Sequence, residues 1–384
     1  MPVLRRRRRW RSCCTASRRE ARLNRICTVV GARPQFVKAS VVSPALAEAG
    51  ISEDVVHTGQ HYDVALSAIF FEEMGISEPI VNLGAGSGTH ARQTGDIMVR
   101  LEAYLINAKP YDALLVYGDT NSTLAAALVA AKLHVPIVHV EAGLRSFNRQ
   151  MPEEINRIAT DRLASMLFCP SRTAVENLAN EGIVDGVVNT GDVMYDALLR
   201  FRPVALTNHP ISDVIPFRKG EYYLATVHRA ENTNDRERLA QILTVFDNVN
   251  QPVVWPVHPR AAVLMKQYEL ALGANILPID PCGYLAVLSL LDGASAVLTD
   301  SGGLQKEAFW SRTPCVTLRN ETEWVETLEG GWNVLAGNDL STVYEALATA
   351  PLTEPDSPYG DGKAAQYVAE AVRDRLIRDR DPHE

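Results

Sequence analysis

The sequence predicts an α/β chain folded as two Rossmann-like, doubly wound parallel-sheet domains that face each other across a cleft. Three observations carry this. Short apolar runs alternate with amphipathic stretches from Ile26 onward, the alternation breaks in a polar stretch after Ala197, and it restarts at Tyr222. Strand–helix alternation places parallel strands in one sheet with helices on both faces. A chain of 384 residues also has the length of two ordinary domains.

In the first half, strands are expected at 26–30, 55–57, 113–117, 137–140, 167–169 and 187–189, with helices at 34–49, 120–133, 152–165 and 172–181. Pro34 and Pro152 suit a first helical position, where the missing N–H costs nothing. The stretch holding Pro203, Asn208, His209, Pro210 and Pro216 reads as an irregular linker. Strands resume at 222–227, 253–257, 276–277, 296–298 and 315–318. The division implied is a basic extension over 1–24, domains over 25–196 and 197–362, and a C-terminal helix over 363–384 that packs back on the first domain.

Charge is distributed unevenly. The whole chain has 38 basic and 46 acidic side chains, a net charge of −8. Residues 1–25 hold ten arginines against Glu20 alone, a local balance of +9, which leaves −17 for the rest. An acidic body repels nucleic acid and anionic membranes at long range, so neither is an expected partner. The arginine-rich head reads as a disordered extension or a misplaced start codon. No apolar run reaches the roughly 18 residues of a membrane span, and no secretory apolar core follows Arg11. Six cysteines (Cys13, Cys14, Cys27, Cys169, Cys282, Cys315) lack CxxC spacing and read as reduced cytoplasmic thiols.

In open parallel sheets, ligands bind beyond the carboxyl ends of strands, so those tips are the residues to read. The first strand leads into Gly31-Ala32-Arg33-Pro34, where Arg33 and Lys38 suit a phosphate or carboxylate; the GxGxxG spacing of a dinucleotide site is missing. Asp119 follows the 113–117 strand and Glu141 the 137–140 strand. An N-cap role explains Asp119 equally well alone, but two acids at one sheet edge suggest an acid/base pair. In Pro152-Glu153-Glu154-Ile155-Asn156-Arg157, the i,i+4 spacing allows Glu153 and Arg157 simply to pair. The second half offers His228, at the tip of its first strand, as a proton donor or phosphate ligand. Its strongest signal is Thr299-Asp300-Ser301-Gly302-Gly303-Leu304-Gln305-Lys306-Glu307. There a strand runs into small residues and a helix opens, offering free N–H groups to a nucleotide diphosphate, with Glu307 placed for ribose hydroxyls. No HExxH occurs, and His57 with His61 lacks a third ligand, so no metal is expected.

Taken together and in order, Gly118-Asp119-Thr120, His139-Val140-Glu141-Ala142-Gly143-Leu144-Arg145, Pro152-Glu153-Glu154-Ile155-Asn156-Arg157 and Thr299–Glu307 resemble the non-hydrolysing UDP-N-acetylglucosamine 2-epimerase family, from about Ile26 to about Gly337. The resemblance implies a glycosyltransferase-B fold and a cofactor-free isomerase that inverts C2 of a UDP-2-acetamido sugar by eliminating and re-adding UDP. It implies Asp119, Glu141 and Glu153 as the acid/base set and His228 as stabiliser of the departing diphosphate. Arg33, Lys38 and Arg157 would supply positive charge, and Ser301, Gly302, Gly303 and Glu307 would hold UDP. A homodimer is implied as well, and Gln60 and His61 lie in a loop with regulatory roles elsewhere in the family.

Two departures point within the family. Ala32 and Gln35 stand where members acting on UDP-N-acetylglucosamine carry threonine and glutamate, and Trp324 stands where those members carry arginine. Both features resemble the branch acting on UDP-2,3-diacetamido-2,3-dideoxyglucuronate, whose carboxylate Arg145 or Arg149 would meet. A UDP-sugar glycosyltransferase of the same fold would need an acceptor groove, and the paired carboxylates argue against it. A hydrolysing epimerase is a nearer reading than a transferase. A non-catalytic nucleotide-sugar sensor would leave the acid/base residues without a role.

Overall fold

A computed structural model of the chain describes residues 24–60, 74–76, 78–351, 353 and 357–380. The basic extension before Asn24 and His61 lie outside the described residues, as do Cys13 and Cys14. The first sheet comprises β1 (Asn24–Val30), β2 (Ile51–His57), β3 (Val81–Asn82), β4 (Ala113–Tyr117), β5 (Ile137–Val140), β6 (Met166–Cys169) and β7 (Val187–Asn189), in the order β3-β2-β1-β4-β5-β6-β7. The second comprises β8 (Tyr223–Thr226), β9 (Val253–Pro256), β10 (Ile276–Ile279), β11 (Ala296–Thr299), β12 (Cys315–Thr317) and β13 (Asn333–Leu335), in the order β10-β9-β8-β11-β12-β13. Every pairing is parallel.

The helices needed below are α1 (Arg33–Glu48), α2 (His90–Asn107), α3 (Asn121–Lys132), α4 (Pro152–Leu163), α5 (Arg172–Asn180) and α6 (Val193–Asn208) in the first half. The second half adds α7 (Ala230–Thr233), α8 (Arg236–Asn248), α9 (Pro259–Gln267), α10 (Tyr284–Gly293), α11 (Gly302–Trp310), α12 (Thr342–Ala348) and α13 (Ala364–Arg380). All five residues of β4 are buried, as a strand covered on both faces requires, which is why it reads as an unbroken apolar run. α2 instead buries Gln93, Ile97, Leu101 and Leu105, one stripe at helical spacing.

Strand order reverses beside the first strand of each sheet, between β1 and β4 and between β8 and β11. At such switch points the loops diverge and leave a crevice. The loops after β4, β8 and β11 carry Asp119, His228 and Ser301, and the turn after β1 leads into α1 at Arg33.

The linker expectation needs correction. α6 runs unbroken from Val193 through Pro203 to Asn208. Asp192 caps it by accepting from Met194 N at 2.8 Å, and Val193, Met194, Ala197, Leu198, Phe201 and Ala205 bury one face. Pro203 removes one i→i−4 bond, and the residue whose carbonyl it frees, Leu199, lies on the exposed face of the helix at 48% exposure. The two- and three-residue edge strands β3 and β13 were also not expected. α13 packs on α1 and α6, and Ala365 N donates to Asp196 Oδ2 at 2.7 Å. Among the described residues no helix is long and apolar enough to cross a membrane, and the four described cysteines are free thiols.

Candidate active site

The loop after β4 places Asp119 at the first rim, and its N-cap explanation does not hold. The cap of α3 is Thr120, whose hydroxyl accepts from Thr123 N at 3.3 Å. Asp119, with its side chain 26% exposed, is free for the cleft and is oriented from α4. Arg157 Nη2 donates to Asp119 Oδ2 at 2.5 Å, and Asn156 Nδ2 donates to Asp119 O at 2.8 Å. Arg157 also pairs with Glu154 at 3.2 Å rather than with Glu153. Glu154 is otherwise occupied, accepting from Ser146 N and Phe147 N at 2.9 Å each. Among the described residues no ion pair holds Glu153, which is half-buried at the start of α4.

Glu141, just past β5, has φ +71°, a left-handed backbone that costs a non-glycine residue about 1–2 kcal/mol. Its carboxylate accepts from Lys38 Nζ at 2.5 Å and from Lys306 Nζ at 3.1 Å. Lys306 comes from α11 of the second sheet and also donates to Asp192 Oδ2 at 2.5 Å. Burial pushes the Glu141 carboxyl up, but Lys306 and Lys38 outweigh it and hold it at about 2. Gly118, at φ +58°, takes a left-handed backbone that strains other residues, and a Cβ there would press on Glu141 Oε1 at 3.2 Å and Lys38 Nζ at 3.3 Å, displacing them by a few tenths of an ångström. The cation expected of Lys38 thus faces a carboxylate rather than open cleft. Beneath the rim, His139 reaches Asp161 through Nδ1 at 2.7 Å and the Gly118 carbonyl through Nε2 at 2.8 Å. Both ring nitrogens face acceptors, so this buried histidine braces the turn that presents Asp119.

The second rim is organised by Asp300, a fully buried residue to which the sequence alone assigns no role. Its carboxylate accepts from His228 N at 3.0 Å, Arg229 N at 2.9 Å and Asn232 Nδ2 at 3.1 Å. His228 Nδ1 lies 3.3 Å from Asp300 Oδ1, while its side chain stays 39% exposed. Ser301 caps α11 without a side-chain bond, so its hydroxyl remains available. A Cβ on Gly302 would lie 2.8 Å from Glu323 Oε1, whereas one on Gly303 would meet nothing within 4 Å. Gly302 is needed for packing, and Gly303 faces open space. Burial raises the Glu307 carboxyl to about 7, despite opposing contributions from Tyr284 and Lys306.

The rims meet through charge. Arg229 is raised because Glu323, Glu153, Asp300 and Asp119 together outweigh its burial, so carboxylates of both halves act on one guanidinium. Glu323 is held at about 2, burial being outweighed by Arg319, Arg157 and Arg229. Arg33 Nη2 donates across the cleft to Cys282 O at 3.2 Å. Asn148 Nδ2 donates to Glu321 Oε1 at 2.7 Å. Arg145 is not placed to read a sugar carboxylate: it is 3% exposed and held by Asp161 at 2.7 Å and Glu181 at 2.6 Å. Arg149 is exposed. A cavity of about 910 Å³ opens beside β9 and β10, between Val257, Pro259, Asp280 and Cys282, and none of the predicted site residues lines it.

Sequence reasoning therefore named Asp119, Glu141, Glu153 and His228 but missed Asp161, Asp192, Asp300, Lys306 and Glu323. The turn Leu304–Phe309 holds Gln305, Lys306 and Glu307, so its sequence does not mark it as buried; the structure buries every residue of it, and a lysine there must have a partner.

Comparison with known proteins gives a consistent result. The family model described as UDP-N-acetylglucosamine 2-epimerase matches residues 45–373. The chain is 48% identical over 356 residues to a UDP-2,3-diacetamido-2,3-dideoxy-D-glucuronate 2-epimerase of Pseudomonas aeruginosa, covering 90% of this chain and 98% of that protein. It is 46% identical over 356 residues to a UDP-N-acetylglucosamine 2-epimerase homolog of Methanococcus maripaludis, covering 91% and 99%. Among solved structures, the Methanocaldococcus jannaschii UDP-GlcNAc 2-epimerase in complex with UDP-GlcNAc and UDP superposes with a TM-score of 0.85 at 38% identity, covering 91% of this chain and 99% of that one.

Proposed function

The chain belongs to the UDP-N-acetylglucosamine 2-epimerase family, and on that premise we propose that it inverts C2 of a UDP-2-acetamido sugar without a redox cofactor, taking UDP-N-acetylglucosamine to UDP-N-acetylmannosamine. The supporting observation is that Asp119, on the first rim, pairs with Arg157 while Arg229, the neighbour of His228 on the second, pairs with Glu323 at 4.0 Å and lies within electrostatic reach of Asp119 and Glu153. Carboxylates beside cations across one cleft suit a reaction that moves a proton at C2 while a diphosphate departs from C1.

One carboxylate of the Asp119, Glu141 and Glu153 set removes H2 as a proton. The electrons of that bond form the C1–C2 double bond, and the C1–oxygen bond breaks to release UDP. Protonation of C2 on the opposite face and return of the UDP oxygen to C1 complete the inversion. His228 stabilises the departing diphosphate. Arg33 supplies positive charge at the cleft, Lys38 and Arg157 supply theirs to Glu141 and Asp119, Ser301, Gly302 and Gly303 hold the phosphates, and Glu307 accepts the ribose hydroxyls. The enzyme works as a homodimer in the cytoplasm; a single-protomer mass by light scattering contradicts the dimer.

Trp324 supports a second reading, the same inversion on UDP-2,3-diacetamido-2,3-dideoxyglucuronate, with Arg149 facing the carboxylate. NMR of each nucleotide sugar with the enzyme, and no added nicotinamide, tests both. Accumulation of the C2 epimer from one or both supports the reading and assigns the substrate; binding of UDP with neither sugar converted rejects it.

A further inference from the structure

The four-charge cluster at the cleft base contains a residue the reaction scheme leaves unused. We infer that Lys306 is a positioning residue: it reaches from α11 of the second sheet to fix Glu141 of the first, tying the diphosphate seat to the acid/base set. The inference rests on the reaction proposed above.

Lys306 is 1% exposed, and its ammonium is satisfied on three sides. Glu141 Oε2 and Asp192 Oδ2 accept from it, and the Trp324 ring centroid lies 3.5 Å from Nζ. Glu141 and Asp192 stand on loops of the first half; Lys306 stands one turn inside the helix that begins at Ser301 and Gly302. A change in the position of α11 relative to the first sheet would therefore act directly on Glu141 through Lys306. With Lys38 the cluster has two positive and two negative groups, and it is buried without net charge. The left-handed backbone of Glu141 serves the same placement: Glu141 N and Ala142 N both donate to Phe168 O at 3.0 Å, turning the side chain toward the two lysines. Trp324 completes the cluster without charge. An arginine there would bring a third cation against Lys306, so tryptophan at this position and lysine at 306 are physically compatible.

Other titratable groups face the cluster. Glu307 follows Lys306 on α11 with Tyr284 beside it, and Asp196 and Tyr359 are within electrostatic reach of Asp192. None supplies a positive charge to replace Lys306.

Lys306→Met keeps the stem and removes the charge, which leaves Glu141 with Lys38 alone and Asp192, among the described residues, with no cation beside it. One carboxyl must then hold a proton near neutrality. The acid limb of the kcat profile should move upward by about one pH unit or more, with KM within about threefold. Adding Asp192→Asn restores charge balance and should move the limb back toward the parent. A limb that stays in place in Lys306→Met, or fails to return in the double variant, overturns the inference. Urea unfolding is a second readout that needs no turnover. A carboxyl with a raised native pKa is penalised only where it must ionise, so the Lys306→Met midpoint should fall further below the parent at pH 8 than at pH 5. Equal loss at both pH values overturns the inference. If the parent itself converts neither sugar, the proposed reaction fails, and the unfolding comparison still decides the cluster.

Discussion

The two rims of the cleft hold charge in different ways. At the first, side chain faces side chain: Glu141 lies between Lys38 and Lys306, and Asp119 against Arg157. At the second, Asp300 gathers backbone N–H groups, and this leaves His228 partly exposed and the start of α11 open at Gly303. The first rim is thus preset in protonation and the second in shape. A base must have a fixed charge state before substrate arrives, whereas an anion seat needs donors already aimed at empty space. The contrast predicts that substitutions at the first rim strike turnover, and those at the second strike binding and local folding.

The largest expected effect is at Asp119. Asp119→Asn should lower C2 hydrogen exchange by about 100-fold or more, while calorimetric UDP affinity changes less than about threefold. A parallel loss of UDP binding would erase the distinction between the rims. Next comes Asp300→Ala, which orphans two backbone N–H groups and removes one of the two acceptors of Asn232 Nδ2, the other being Leu318 O. It should cost roughly 2–4 kcal/mol in denaturant unfolding and weaken UDP binding. Unchanged stability would show that the second rim is not shaped by Asp300.

Glu307 sharpens the comparison through pH. Its native carboxyl is raised to about 7 by burial, from the usual 4.5, so its contribution to stability is fully present below about pH 4.5 and is lost as pH rises through 7. The unfolding free energy of the parent minus that of Glu307→Gln should fall by roughly 2–4 kcal/mol across that window. Glu141 and Glu323, held at about 2, give the opposite slope, and theirs lies below pH 4.5. A flat difference would remove Glu307 from the buried set. The smallest effect is expected from Gly303→Ala. With no atom within 4 Å of the added carbon, stability should change by less than about 1 kcal/mol, yet KM should rise several-fold if a diphosphate occupies that space. An unchanged KM would show that the open space is not the seat.

The fold was readable wherever burial dictated composition. The buried strands Ala113–Tyr117, apolar throughout, and Ile137–Val140, apolar except for His139, declare themselves, and the turn residues after them mark the rims. α6 was not readable, because Pro203 and its polar neighbours suggest a break while tertiary packing of the Val193–Ala205 face overrides that local preference. At the site, acids at strand tips were legible as candidates. Their partners were not, since Lys38 and Glu141 are 103 positions apart and Lys306 and Glu141 165. Sequence spacing describes neighbours on one element; the first pair forms when α1 and the loop after β5 meet at one edge of the first sheet, and the second only when the two halves close on each other. Glu153 and Arg157 show the reverse case, a plausible i,i+4 pair that the fold divides between Asp119 and Glu154.

The central claim is that this cleft exchanges the C2 proton of a UDP-2-acetamido sugar, and incubation in deuterated water tests it most directly. UDP-N-acetylglucosamine and the diacetamido-uronate are incubated separately with the parent enzyme, and the recovered nucleotide sugars are analysed by NMR and mass spectrometry. The account predicts deuterium at C2 with UDP still attached in at least one of them. Full retention of the original hydrogen in both sugars would contradict it.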